Sequence, residues 1–150
     1  MKNHMKLEFA ALSENEPFAR GAVAAFCLGL NPTLDELSDV KTAVSEAVTN
    51  CIVHAYRGRT GNVTIECETD GNVLHIKISD NGRGIDDVKK ALEPFYTTLE
   101  DEERSGMGFT IMQTFMTDFR LESAKGVGTS VLMSKRFGRN TETEVLADAE

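Results

Sequence analysis

The 150-residue chain contains no tryptophan, and only two tyrosines, three prolines and three cysteines. The cysteines, Cys27, Cys51 and Cys67, are odd in number and lack metal-ligand spacing, so neither a disulfide framework nor a zinc site is expected. They read as free, buried thiols of a reducing compartment. Long apolar runs are also missing. The longest uncharged stretch, 21–34, is interrupted by Asn31-Pro32 and is too short to cross a bilayer. No apolar segment follows the charges of residues 1–6, so no signal peptide is expected and the reading is cytoplasmic, without a membrane. Positive charge is scarce: 16 Lys and Arg stand against 24 Asp and Glu, a net −8. Direct nucleic-acid binding, which needs clustered cations, is thereby disfavoured.

Repeats, low-complexity blocks and internal linkers are absent as well, which points to one domain over 1–137 and an acidic, disordered tail over 138–150. Hydrophobic residues make up 41%, enough for a real core at this length. Two signatures of nucleotide chemistry are missing. There is no Gly-x-x-x-x-Gly-Lys-Ser/Thr loop and no His-Arg-Asp or Asp-Phe-Gly motif, so P-loop enzymes and eukaryotic-type protein kinases are excluded.

What is present begins with a short strand, where Leu7, Phe9 and Ala11 alternate with Lys6, Glu8 and Ala10. A helix is expected from about Asn15 to Leu28, with Ser13 and Glu16 spaced as a capping box, and Gly29 and Asn31-Pro32 end it. Thr33 and Glu36 form a second box opening a helix to about Tyr56. Strands at 63–69 and 73–79 flank Asp70-Gly71 as a hairpin. A polar segment with a helical piece near Val88 to Leu92 follows, then a helix from Gly108 to Met116. The chain closes with a hairpin of 119–123 and 129–136. Strands arriving as hairpins predict an α+β sandwich, with a mostly antiparallel mixed sheet and helices on one face.

Four constellations carry candidate chemistry. On the second helix Val44, Val48, Cys51 and Ala55 form the core stripe, while Glu46, Asn50 and His54, spaced i, i+4, i+8, form a stripe roughly opposite. Such a stripe is either a solvated face or a functional one. Asp80 continues the apolar row of Leu74, Ile76 and Ile78 and begins Asp80-Asn81-Gly82-Arg83-Gly84. It reads as a turn-capping acid, or as a carboxylate accepting hydrogen bonds from a ligand amine where Gly82 and Gly84 allow close approach. Arg104-Ser105-Gly106-Met107-Gly108-Phe109 precedes a helix, either a plain helix entry or free N–H groups offered to phosphate with Arg104 adding a bidentate contact. Gly128-Thr129 opens the last strand.

In order and spacing, Glu46-x-x-x-Asn50-x-x-x-His54, Asp80-x-Gly82-x-Gly84, Gly106-x-Gly108 and Gly128-Thr129 resemble the four boxes of the GHKL ATPase/kinase superfamily. The runs 45–50, 95–98 and 104–112 resemble, within it, the anti-sigma F factor family of spore-forming bacteria. The resemblance spans residues 5–137 and implies a Bergerat ATP-binding fold and a protein-serine kinase that also holds a sigma factor. It implies that Asp80 binds the adenine amino group with Thr129 assisting, and that Asn50 coordinates Mg²⁺ on the phosphates of ATP or ADP. Gly82 and Gly84 would shape the adenine pocket and hinge a lid over about 86–105. Gly106, Met107 and Gly108 would offer backbone N–H groups, with His54, Thr97, Arg104, Ser105 and Phe109 completing the nucleotide set. Glu46 would be the general base. Implied partners are a sporulation sigma factor, an anti-anti-sigma protein phosphorylated on serine, and a second copy in a homodimer, with Arg20 as an interface cation. Ala55 departs from a frequent glycine. A general-stress anti-sigma kinase, a nucleotide-gated binding module and a repair-type clamp ATPase are the alternatives.

Overall fold

The computed structural model describes residues 2–57, 59–93 and 108–138. Strand β1 (His4–Ala10) is followed by helix α1 (Asn15–Cys27), a 3-10 turn (Leu28–Leu30) and helix α2 (Leu34–Asn50), which continues as a π turn (Cys51–Ala55). Then come β2 (Asn62–Asp70), β3 (Val73–Asp80), the short α3 (Val88–Ala91), α4 (Gly108–Phe115), β4 (Asp118–Ala124) and β5 (Gly128–Arg136).

The strands form one sheet in the order β1-β2-β3-β5-β4. Each pairing is antiparallel, so among the described residues the sheet is uniform and not mixed. Period-two alternation assigns its two faces. Val63, Ile65 and Cys67 of β2, Leu74, Ile76 and Ile78 of β3, and Val131 and Met133 of β5 are buried against Val23 and Cys27 of α1, Val44 and Val48 of α2 and Met112 of α4. The other face carries charges in register, such as Lys6 opposite Glu66 opposite Lys77, which suits a face turned to water. All three cysteines are free and buried.

The two expected capping boxes fare differently. Thr33 Oγ1 accepts from the Glu36 N–H at 3.1 Å and Glu36 Oε1 accepts from the Thr33 N–H at 2.9 Å, a complete box. The Ser13–Glu16 box does not form. The cap of α1 is Glu14, without a side-chain cap bond. That start puts Pro17 at the third helical position, where it offers neither an N–H nor a returning carboxylate. Glu16 instead pairs with Arg20 at 3.4 Å. Asn31, left-handed at φ 52, and Pro32 end the first helical segment. Replacing Thr33 by alanine is expected to lower stability by about 1 kcal/mol, read as a lower urea midpoint at unchanged slope.

Two further details differ from the expected elements. The β2–β3 turn centres on Gly71-Asn72, one residue later than Asp70-Gly71, because Asp70 still pairs with Val73. The second helix is not uniform to Tyr56 but widens after Asn50 into the π turn. Among the described residues no helix is long and apolar enough to cross a membrane.

Candidate nucleotide site

Asp80 ends β3 in the same helix-facing row as Leu74, Ile76 and Ile78, and is only 7% exposed. A carboxylate there needs donors. Its Oδ1 accepts from the Gly82 N–H at 2.9 Å and the Thr129 N–H at 3.3 Å. Burial pushes its pKa up, while hydrogen bonds from Gly82, the Cys51 thiol and Thr129 oppose the rise. Beside Asp80 the Cys51 thiol is held far from ionisation, by burial first and by the carboxylate second.

The loop after Asp80 is fastened on three sides. The final carbonyls of any helix lack internal partners. Here those of His54 and Ala55, in the π turn, accept from Arg83 Nε at 2.9 Å and the Arg83 N–H at 3.0 Å. Tyr56 Oη accepts from the Asn81 N–H at 2.8 Å and donates to the Asn62 carbonyl at 2.6 Å. Ser123 Oγ takes the Ile85 N–H at 2.8 Å and stands 2.8 Å from Thr129 Oγ1. Gly82 is packed so closely that a Cβ would sit 2.6 Å from that of Ala55. Gly84 has φ +75, and a Cβ there would run into the Ala124 carbonyl. A Gly84→Ala variant is therefore expected to lose nucleotide affinity before it loses the fold, seen as weaker binding with an intact far-UV spectrum.

Between this floor and α2 lies a cavity of about 220 Å³. Asn50, His54, Asp80, Gly84, Gly108, Phe109 and Thr129 all line it, drawn from α2 and its π turn, the end of β3 and the loop after it, α4 and β5. Gly82 supports it from below through its bond to Asp80. Glu46 stands at the end where α4 begins: a Cβ on Gly108 would lie 3.2 Å from Glu46 Oε2 and 3.3 Å from Asn50 Nδ2. Glu46 also borders a second groove, shared with Arg20, Ser38, Lys41 and Ser45. The carboxylate thus lies beside Gly108, a residue of the cavity wall, and also lines the groove. Thr97, Arg104, Ser105, Gly106 and Met107 lie outside the described residues, as does the part of the expected lid beyond residue 93.

The site suits an adenine nucleotide. The buried acceptor Asp80 fits an exocyclic amine, and the N-terminus of α4, also on the cavity wall, fits phosphate. Among the described residues no three His, Cys, Asp or Glu side chains converge as a metal cluster. Sequence reasoning missed Cys51, Tyr56, Arg83 and Ser123, which hold the floor. Cys51 lies in the core stripe, as the spacing predicts, and its bond to Asp80 is a further contact that spacing does not show; the contacts of Arg83 and Tyr56 depend on a helix ending that periodicity does not reveal.

Residues 9–135 match the model of the histidine kinase-like ATPase domain family. An anti-sigma F factor of Caldanaerobacter subterraneus subsp. tengcongensis is 54% identical over 138 residues, covering 92% of this chain and 96% of that protein. One from Clostridium botulinum is 56% identical over 137 residues, covering 91% and 96%. Among solved structures, the RsbU and RsbW domains of a Mycobacterium tuberculosis protein match with TM-score 0.66 at 15% identity, covering 90% of this chain and 32% of that one. The catalytic domain of the histidine kinase ThkA matches with TM-score 0.56 at 17% identity, covering 89% and 96%. Those two likenesses concern the fold.

Proposed function

Because this chain belongs to the histidine kinase-like ATPase domain family and, within it, to the anti-sigma F factors, we propose that it inhibits a sporulation sigma factor and is also a Mg²⁺·ATP-dependent serine kinase of the anti-anti-sigma antagonist. The observation that carries the kinase reading is the position of Glu46, beside Asn50 and Gly108 at the cavity end and open to the groove that holds Arg20. A nucleotide-gated binding module would have no use for a carboxylate placed between a phosphate site and a protein-facing groove.

Asp80 accepts the adenine amino group, with Thr129 beside it, and the closely packed Gly82–Gly84 loop sets the floor. Asn50 would hold Mg²⁺ through its amide oxygen, and the bound ion would neutralise charge on the phosphates. The amide end of α4 orients the terminal phosphate. A serine hydroxyl entering along the groove loses its proton to Glu46 as its oxygen bonds to phosphorus and the bond to ADP breaks. Phosphoserine and ADP are the products. Arg20 contacts the incoming protein, and the protein works as a homodimer in the cytoplasm.

The test is phosphotransfer from labelled Mg²⁺·ATP to an anti-anti-sigma protein, alongside repression of transcription directed by the sigma factor. Label on serine together with repression is expected. Repression without label would leave the binding-module reading, and label only on a general-stress antagonist would move the chain to that class.

A further inference from the structure

The helix-facing row of β5 continues past Val131 and Met133 to Lys135 and then Phe137, and the other three are buried hydrophobics. Lys135 is a cation in an apolar row, its side chain 13% exposed. Such a charge needs close partners. Its Nζ has two: Asp39 Oδ2 on α2 at 3.1 Å and the carbonyl of Phe115, the last residue of α4, at 2.6 Å. A cation at a helix C-terminus satisfies an orphan carbonyl and complements the dipole. One ammonium therefore joins the sheet, α2 and the C-terminus of α4.

The opposite end of α4 is Gly108, beside Glu46 and Asn50. Asp39 precedes Glu46 by seven residues, two turns along the same face of α2. Eight residues of α4 rise about 12 Å, and the distance along α2 from Asp39 to the Glu46–Asn50 turn is about 10 to 16 Å. α4 thus spans this face between one polar contact and the other. Between them the buried Met112 supplies apolar contact, which is non-directional. Just past the helix the Thr117 N–H donates to the Ser134 carbonyl at 2.9 Å and Thr117 Oγ1 accepts from the Arg136 N–H at 3.0 Å, which ties that end to β5. The ammonium adds the tie to α2.

We propose that Lys135 is a positioning residue for phosphate binding: by tying the C-terminus of α4 to Asp39, it sets where the amide end at Gly108 stands relative to Asn50 and Glu46. This rests on reading the cavity as a nucleotide site. Lys135 then governs the phosphates and leaves the adenine floor, built from other residues, alone.

The test compares Mg²⁺·ATP and adenosine binding by calorimetry, well below each melting temperature, in wild type and in Lys135→Met, Lys135→Arg and Asp39→Asn. Lys135→Met is expected to weaken ATP about tenfold or more with adenosine within about twofold, the size of one lost charged hydrogen bond. Asp39→Asn moves the same way by less, and Lys135→Arg restores part of the ATP affinity. Equal losses for both ligands, or no loss, would overturn the proposal by making Lys135 a purely structural ion. If Lys135→Met does not fold, Asp39→Asn and Lys135→Arg decide by the same ratio. A wild-type chain binding neither ligand would remove the nucleotide reading itself, which is a different result.

Discussion

Replacing Asp80 by asparagine is expected to abolish adenine-nucleotide binding while leaving the unliganded protein as stable as before or more so. The carboxamide oxygen can keep the bonds from Gly82 and Thr129, but the new NH₂ meets the amino group of adenine donor to donor. A site built around a hydrogen bond rejects a ligand that cannot make it, so a loss of at least about 100-fold is expected in calorimetry. The stability gain has its own cause. Burial holds the folded-state pKa of Asp80 above that of the unfolded chain, so the ionised carboxylate costs stability. That contribution is fully favourable below the unfolded pKa and is lost as pH rises through the folded one. At neutral pH the asparagine carries no such cost. Wild type should also lose nucleotide affinity on acidification at a higher pH than an ordinary aspartate would dictate. Undiminished ATP affinity in Asp80→Asn would remove Asp80 from the adenine site.

The second large effect concerns Glu46. Glu46→Gln keeps the shape and the hydrogen-bonding reach of the side chain but cannot take a proton. Mg²⁺·ATP should bind within about twofold of wild type and the sigma factor should still be held, while phosphotransfer falls by about 10²- to 10⁴-fold, the usual worth of a positioned base. Equal losses in ATP affinity and turnover would make Glu46 a nucleotide ligand. Normal turnover would make another group the base.

Much of this site was legible before any fold was known, because two periodicities report on it. Alternation along 74–80 placed Asp80 in the core-facing row, and the structure buries it there. Helical spacing puts Glu46, Asn50 and His54 on one face; Asn50 and His54 line the cavity, and Glu46 lines the neighbouring groove. Features set by tertiary contact were not legible. The π turn cannot be seen in a projection that assumes 100° per residue, yet it brings the His54 and Ala55 carbonyls to Arg83. The Ser13–Glu16 spacing satisfied a local rule that the position of Pro17 defeated. The role of Lys135 is not legible in sequence, because a lysine near the end of a strand is ordinarily solvated, and only the closeness of α4 and Asp39 makes it otherwise.

The pairing of β3 with β5 has a kinetic consequence. Each hairpin closes locally, through two residues in one case and three in the other. The join between the hairpins is non-local, with Asp80 and Thr129 separated by 49 positions. Bringing them together closes a long loop, as pairing β1 with β2 also does, and such closures are the slow and entropically costly events in assembling the sheet. The cavity lies across this seam, with Ile78 and Asp80 on one side and Thr129 and Val131 on the other. A nucleotide bound there is thus a removable staple across the seam between the two hairpins. Saturation at about 100 times the dissociation constant adds about 2.7 kcal/mol against any opening that parts them. Protease cleavage within the paired strands, which requires such an opening, should slow in proportion, so nucleotide supply would lengthen the lifetime of the folded chain.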